Sequence, residues 1–212
     1  MLFCLVNLIS ASSLTVSNYY CIYIFNDANK VSLLSVCTII PAIIMNMILP
    51  TLINNFGRRK ILIFSAIGIA VSSGIMGLFP LSLVMVCAMY GVKGFFMGGM
   101  FACCYALTGD VIDFGEWKFG VRSEGLVNAG VSIGQKLGLG LGPAIAMWIL
   151  GVGGYNGLAA TQTASAMKAI SFSFSFLSAI FAIIMLFVGL VYDMDKHSAQ
   201  IQQDLTKKHK SN

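Results

Sequence analysis

Charged side chains are scarce in this sequence: only 10% of its 212 residues are Asp, Glu, Lys or Arg, whereas 58% are hydrophobic. A soluble domain carries about 25% charge, so this deficit argues against a soluble domain and favours a membrane protein. The formal net charge is +5, but the basic residues lie at the ends of apolar runs without interleaved aromatics. We therefore expect no nucleic-acid partner.

Residues that commonly support catalysis or metal binding are also few. Both histidines, His197 and His209, lie in the C-terminal tail, and no nucleophile, base and orienting group converge. The six cysteines fall mostly within apolar runs and show no metal-ligand spacing, so they resemble small core residues. The sequence therefore predicts neither an enzyme nor a metal site, and no cofactor.

Six apolar segments meet or approach the roughly 20 residues that a helix needs to cross a bilayer. The predicted fold class is an all-α integral membrane protein with six transmembrane helices. An S-F-S-F-S-F alternation at residues 171–176 imitates a strand, but its long apolar context indicates a helix, since one strand cannot satisfy its backbone in lipid. The predicted spans are about 1–25, 31–53, 60–79, 81–108, 125–150 and 170–192, followed by a polar tail at 193–212.

Lysine and arginine are distributed unevenly between the two sides of this predicted bundle. One side carries Lys30 and Lys168, and the other carries nine basic residues, at 58–60, 118, 122, 196, 207, 208 and 210. The basic side is expected in the cytoplasm, together with both termini. We expect a multi-pass protein of the plasma membrane.

A single lysine, Lys136, lies in the glycine-rich fifth span. It is about 17 Å from Gly125 along the helix, near the bilayer midplane. The glycines are spaced by four and predict a small-residue ridge for helix packing, with Lys136 on the opposite face. Lys136 either lines an aqueous passage for solute and coupled ion, or pairs with a carboxylate to hold helices together. The four ridge positions are Gly130, Gly134, Gly138 and Gly142.

A second lysine, Lys93, lies about 18 Å from Leu81 in the fourth span. Tyr90 and the phenylalanines at 95, 96 and 101 surround it in sequence. An aromatic face beside a cation suits sugar stacking, but aromatics at helical spacing are commonly core or lipid-facing. Both readings of Lys93 stay open. No acidic residue lies within any predicted span.

Charge is concentrated in two short segments between spans. Asp110 and Asp113 share a helix face, and Arg122 precedes the fifth span, so the three could lock the inner mouth of a passage. By charge alone, a solvated loop that sets topology is the better reading. The second segment is G-R-R-K at 57–60, where Gly57 permits a tight turn and Arg58, Arg59 and Lys60 lie at the membrane face.

Together these segments resemble a known family. G-R-R-K between two spans and the run D-V-I-D-F-G-E-W-K-F-G-V-R-S-E-G, followed by Gln135 and Lys136, resemble the glycoside–pentoside–hexuronide:cation symporters of the major facilitator superfamily. The resemblance covers nearly the whole chain but only the second six-helix half of twelve. It implies that Lys136 acts in sugar binding and cation coupling, and that Asp110, Asp113 and Arg122 form a cytoplasmic gate.

The resemblance implies an alternating-access symporter that takes a sugar with Na⁺ or H⁺. The family's acidic binding residues lie in the first six helices, so the chain is expected to need such a half. It begins inside an apolar run, as if partway through a larger protein. The alternatives are a transport-inactive remnant or partner subunit and, more distantly, a lipid transporter of the same superfamily.

Overall fold

A computed structural model describes residues 1–79, 81–159 and 161–191. The predicted tail at 193–212 and the connection at Pro80 lie outside the described residues. Six helices in the described chain are long and apolar enough to cross a membrane, which confirms the predicted fold class. The elements are α1 (Leu2–Tyr23), α2 (Lys30–Phe56), α3 (Arg58–Leu78), α4 (Leu83–Phe119), α5 (Glu124–Val152), α6 (Ala164–Phe172), a π-helical turn (Ser173–Leu177) and α7 (Ser178–Val191).

The fourth helix extends well past the predicted limit at 108. It begins at the N-cap Ser82, whose hydroxyl accepts a hydrogen bond from the Met85 amide, and ends at Gly120, whose φ of 73° is left-handed. Its 37 residues give a length of about 55 Å, more than the roughly 30 Å hydrocarbon core. The segment that carries Asp110, Asp113 and Glu116 is thus helical, and the connection to α5 is short.

The last span also begins earlier than predicted. Thr163 caps α6 by accepting a hydrogen bond from the Ala166 amide at 3.2 Å, so Lys168 lies within a helix. Polar residues in this first turn made the segment look like a connection. The span is continuous from Ala164 to Val191 and contains no strand, so the helical interpretation of S-F-S-F-S-F is confirmed.

The helices pack in two groups. In one group α2 and α3 pack on α4, and α3 packs on α7; in the other, α1 packs on α5. The approach of α2 to α4 depends on small residues, because a methyl group at Gly94 would lie 2.3 Å from the Thr38 carbonyl oxygen, and one at Gly98 would lie 2.7 Å from that of Ala42. Neither glycine had been singled out from the sequence.

Three buried rings stack where the two groups meet. Phe174, in the π-helical turn, lies between Tyr20 of α1, with ring centroids 3.9 Å apart, and Tyr90 of α4, with centroids 5.5 Å apart. π-Helical turns are rare and occur mostly as single-turn insertions in α-helices. Here the turn directly precedes Ser178, which contacts the polar centre described below.

Two helices leave most of their surface uncovered in the described bundle. Only Leu34, Met45 and Leu49 are buried on α2, although it has 27 residues. On α5, of 29 residues, the buried positions are Gly134, Gly138, Gly142, Ala146 and Leu150. The other spans bury about half of their most apolar window, so α2 and α5 present the open faces of the bundle.

Candidate functional site

Lys93 lies at the centre of the bundle. It is about 15 Å along α4 from Leu83 and only 4% exposed. Its Nζ donates to the Ser13 hydroxyl of α1 at 2.7 Å and to the Ser178 hydroxyl of α7 at 2.8 Å. The two hydroxyls are 2.7 Å apart, so one ammonium and two serines join three helices.

A cavity of about 190 Å³ lies between α1, α2 and α4, next to this contact. The wall is mostly apolar, and its smaller polar part consists mainly of hydroxyl side chains, with Lys93 and Tyr90 beside them. The lining residues are Ser10, Ser13, Leu14, Ser17, Leu34, Ser35, Thr38, Ile39, Tyr90, Lys93 and Met97. The arrangement can therefore offer one positive charge and several oxygen atoms to a polar ligand.

Only one of the predicted aromatic residues adjoins the Lys93 ammonium. Its Nζ lies 5.3 Å from the Tyr90 ring centroid, a cation–π distance. Phe95 and Phe96 contact each other edge to face, and the Phe96 ring lies against Gly68 of α3. These two phenylalanines belong to the packing of α3 on α4.

Lys136 is exposed on α5, about 18 Å along the helix from Glu124. Within the described part of the chain it makes no hydrogen bond or ion pair. The preceding residue, Gln135, donates from Nε2 to the Tyr105 hydroxyl of α4 at 2.7 Å, which ties this level of α5 to α4. The structure therefore does not bring Lys93 and Lys136 into contact: the first is central and the second lies on an open face.

Three of the four ridge glycines face α1. A methyl group at Gly138 would lie 2.4 Å from the Cys4 carbonyl oxygen, and one at Gly142 would lie 2.9 Å from that of Leu8. A methyl group at Gly134 would lie 3.4 Å from the Cys4 nitrogen, so this glycine is also in contact with α1. Gly130 lies outside this interface, because nothing is within 4 Å of the corresponding point.

The charged end of the bundle comprises Arg58, Arg59, Lys60 and the residues 110–124. Here the structure joins the two charged segments of the sequence, since the Arg58 guanidinium forms an ion pair with the buried carboxylate of Asp110. Gly57 makes this possible: its φ of 82° turns the chain directly from α2 into α3.

Arg122 joins the end of α4 to the start of α5. It lies 3.4 Å from Asp113, 2.9 Å from Glu116 and 2.5 Å from Glu124, measured between guanidinium nitrogens and carboxylate oxygens. Hydrogen bonds with Glu124 and then Glu116 raise the pKa of Arg122 above its ordinary value. The sequence had grouped Asp110 and Asp113 with Arg122. In the structure, Asp113 pairs with Arg122 and Asp110 pairs with Arg58. Glu116 is a further partner of Arg122.

Arg59 contacts the last described turn of α7. Its Nε donates to the Gly189 carbonyl at 3.3 Å, and its Nη2 donates to the Leu190 carbonyl. Lys60, the last residue of the G-R-R-K segment, is exposed.

Sequence reasoning missed several members of this site. Ser13 looked like one of many scattered serines, although Ser10, Ser13 and Ser17 follow the three-to-four spacing of one helix face. Ser178 gave no signal, because its approach to Lys93 depends on tertiary packing. Glu116 was assigned to a loop, where a buried carboxylate is not expected.

Residues 1–196 match the model of a family described as MFS/sugar transport protein. The chain belongs to this family. Its membership confirms the resemblance drawn from the G-R-R-K and D-V-I-D segments, and it identifies the chain as a multi-pass membrane protein of a transporter family.

Three relatives align with parts of this chain. The isoprimeverose transporter of Lactiplantibacillus pentosus is 36% identical over 114 residues, which cover 54% of this chain and 23% of that protein. The symporter YjmB of Bacillus subtilis (strain 168) is 27% identical over 164 residues, covering 76% of this chain and 35% of that protein. The inner membrane symporter YicJ of Escherichia coli (strain K12) is 34% identical over 76 residues, covering 36% and 16%. The chain thus spans less than half the length of each of these relatives.

Proposed function

We propose that the chain is the second half of a secondary active sugar transporter, which moves a glycoside, pentoside or hexuronide together with Na⁺ or H⁺ by alternating access. The observation that carries the proposal is the placement of Lys136, an exposed cation at mid-span on an open face of a chain that belongs to a sugar-transporter family. A charge at this depth is costly in lipid unless it faces water, a partner or a ligand.

A first six-helix half is the partner that this proposal requires. The open faces of α2 and α5 would be covered by that half, and the passage would run between the two bundles. The short share of each relative's length that the chain spans supports this arrangement. Lys136 would then face the passage instead of lipid. Carboxylates for the coupled ion would come from the other half, since those in the described part of this chain lie at helix ends or in connections.

The charged end would be the cytoplasmic gate. Asp110 with Arg58, and Asp113 and Glu116 with Arg122, hold the ends of α3, α4 and α5 together. Alternating access requires contacts that break and re-form as the two bundles rock. These ion pairs lie within one bundle, so as a gate they would have to exchange partners with the first half. Placing this end in the cytoplasm follows the excess of lysine and arginine there.

The test is uptake into membrane vesicles that contain the chain co-expressed with a first six-helix half. A labelled sugar should accumulate under an imposed Na⁺ or H⁺ gradient, and the ion that supports accumulation identifies the coupling cation. A membrane potential contributes about 2.3 kcal/mol per charge per 100 mV to a coupled ion. The chain expressed alone should accumulate nothing.

Lys136→Gln should reduce accumulation by at least tenfold, because the passage would lose its cation. Lys168→Gln is the matched control, since that lysine lies in the first turns of α6, away from mid-span. The proposal is wrong if Lys136→Gln transports like wild type. Absence of uptake from every pairing with a first half would favour the transport-inactive alternative.

A further inference from the structure

Lys93 has a buried side-chain nitrogen whose hydrogen-bond acceptors are both neutral hydroxyls. Burying an isolated ion is expensive, and buried charges in proteins are normally paired. Two serines and the π-face of Tyr90 partly replace water around the ammonium, but they contribute no negative charge.

No carboxylate in the described part of the chain reaches Lys93. The nearest one along its own helix is Asp110, which lies about 25 Å farther along α4. Asp27 lies beyond the end of α1, about 20 Å from the level of Ser13. The others, Asp113, Glu116 and Glu124, lie with Asp110 at the charged end. An anion bound beside Lys93 would supply the negative charge that the described part of the chain does not.

The neighbouring cavity has room for a ligand group that brings this charge. Its volume of about 190 Å³ corresponds to roughly six water molecules at about 30 Å³ each. This is enough space for a carboxylate or a sulfonate together with part of the molecule that carries it. Lys93 and Ser13 both line this cavity.

The other hydroxyl side chains of the cavity wall restrict which ligand groups can bind together with the anion. Ser17, Ser35 and Thr38 each donate to a backbone carbonyl of their own helix, at 2.8, 2.9 and 2.8 Å. Because their protons are already engaged, their oxygens are available to the cavity as acceptors. A ligand that offers several hydroxyl donors and one oxyanion matches this wall.

We propose that Lys93, with Ser13 in the adjoining cavity, binds the acidic group of a sugar acid, a carboxylate or a sulfonate. Ser17, Ser35 and Thr38, on the polar part of the cavity wall, would accept hydrogen bonds from the sugar hydroxyls. This inference rests on the proposed transport of a sugar and names the charge of that sugar. It assigns Lys93 the recognition of the acidic group, and it leaves Lys136 in the passage.

Ligand pairs that differ only in charge test the inference. The chain assembled with its first half in lipid nanodiscs is titrated with glucuronate and galacturonate, with the corresponding neutral amides, and with a hexose that carries a 6-sulfonate. Wild type should bind at least one acid at least tenfold more tightly than its neutral counterpart. Comparison of the carboxylates with the sulfonate then identifies the oxyanion. Equal binding of acids and neutral counterparts by wild type overturns the inference.

Lys93→Gln should remove the preference for the acid, so that acid and amide bind with affinities within about threefold of each other. Lys93→Arg retains the charge and should keep part of the preference. Lys168→Gln should leave the preference unchanged. If Lys93→Gln fails to fold, Lys93→Met replaces it, since a neutral side chain of similar length that needs no hydrogen bond should also remove the preference. An undiminished acid preference in Lys93→Gln, or in Lys93→Met when it stands in, contradicts the inference.

The competing source of negative charge is a carboxylate of the first half. In that case Lys93→Gln alone would fold or bind poorly, and a second substitution that neutralises a carboxylate in the other half would restore folding and binding. That result would contradict the inference. Failure of the inference is distinct from failure of the proposed function. Ion-driven uptake of neutral sugars without any acid preference refutes only the role of Lys93, whereas absence of binding and uptake for every sugar refutes the transporter itself.

Discussion

The packing of α1 on α5 leaves no room for a side chain at Gly138. A methyl group there would lie 2.4 Å from the Cys4 carbonyl oxygen, 2.7 Å from the Asn7 Cβ and 3.0 Å from the Leu8 nitrogen. Two of these three atoms belong to the backbone of α1, so no rotamer change relieves the clash. In Gly138→Ala the two helices must separate locally by about 1 Å to restore ordinary contacts.

The cost follows from two opposing terms. Overpacking a well-packed interface costs about 1–3 kcal/mol, whereas replacing glycine by alanine inside a helix contributes about 1 kcal/mol of stability. Gly130→Ala experiences only the second term, because nothing lies within 4 Å of its Cβ position. The two variants should therefore differ by about 1–3 kcal/mol in free energy of unfolding, although they make the same chemical change on the same helix.

Thermal unfolding of the purified chain in nanodiscs, followed by circular dichroism, measures this difference. For a chain of this size, 1 kcal/mol corresponds to a shift of about 2–4 °C in Tm. Gly138→Ala should unfold roughly 2–12 °C below Gly130→Ala. Equal Tm values for the two variants would show that α5 does not pack on α1 through this glycine, and the described position of Lys136 on the open face would then be wrong.

Three further predictions concern the ends of the bundle. Arg58→Gln removes the guanidinium that binds the buried carboxylate of Asp110, and it should lower the free energy of unfolding by about 3 kcal/mol. The double variant with Asp110→Asn should lose less stability than the sum of the two single variants. Urea unfolding measures both effects. Arg122→Lys should fail to hold its three carboxylates, since one ammonium cannot replace a planar guanidinium, and hydrogen exchange of the connection between α4 and α5 should accelerate as much as in Arg122→Gln. A hydrogen bond with Tyr23 and burial raise the pKa of Tyr155, in the connection after α5, from 10.0 to about 12. The stability from this bond is therefore present below pH 10 and lost as the pH rises through about 12; in Tyr23→Phe the pKa of Tyr155, followed by tyrosinate absorbance, should return towards its ordinary value.

The helical architecture could be predicted from the sequence because a bilayer imposes it. Runs of about 20 apolar residues have one common solution in lipid, and the positions of the six spans follow from their length. The ends of the spans were harder to predict. At the end of α4, Glu116 and Asp113 form ion pairs with Arg122, and Gly120 ends the helix in a left-handed conformation. Hydropathy contains none of that information.

The candidate site was predictable only where local sequence decides position. The ridge of Gly134, Gly138 and Gly142, with Lys136 on another face, follows from helical spacing alone. The partners of Lys93 do not, because Ser13 and Ser178 are separated from it by 80 and 85 positions in the chain. Pairing of Arg58 with Asp110 likewise joins segments that are 52 positions apart. Charge patterns can identify such residues as candidates, but packing alone selects the partners.

The two helix groups are joined across their boundary by polar and aromatic contacts as well as by apolar packing of α1 on α7. Close small-residue packing holds α5 to α1 and α2 to α4, at Gly138 and Gly94 respectively. Between the groups, by contrast, lie the bond of Gln135 to Tyr105, the ion pairs of Arg122, and the bonds of Lys93 to Ser13. Hydrogen bonds and ion pairs can exchange partners with small displacements, whereas interdigitated backbones cannot separate without losing their packing. A ligand that competes for Lys93 would therefore act on one of the hydrogen bonds between α4 and α1, the kind of contact that can change partners while the close packing within each group stays intact.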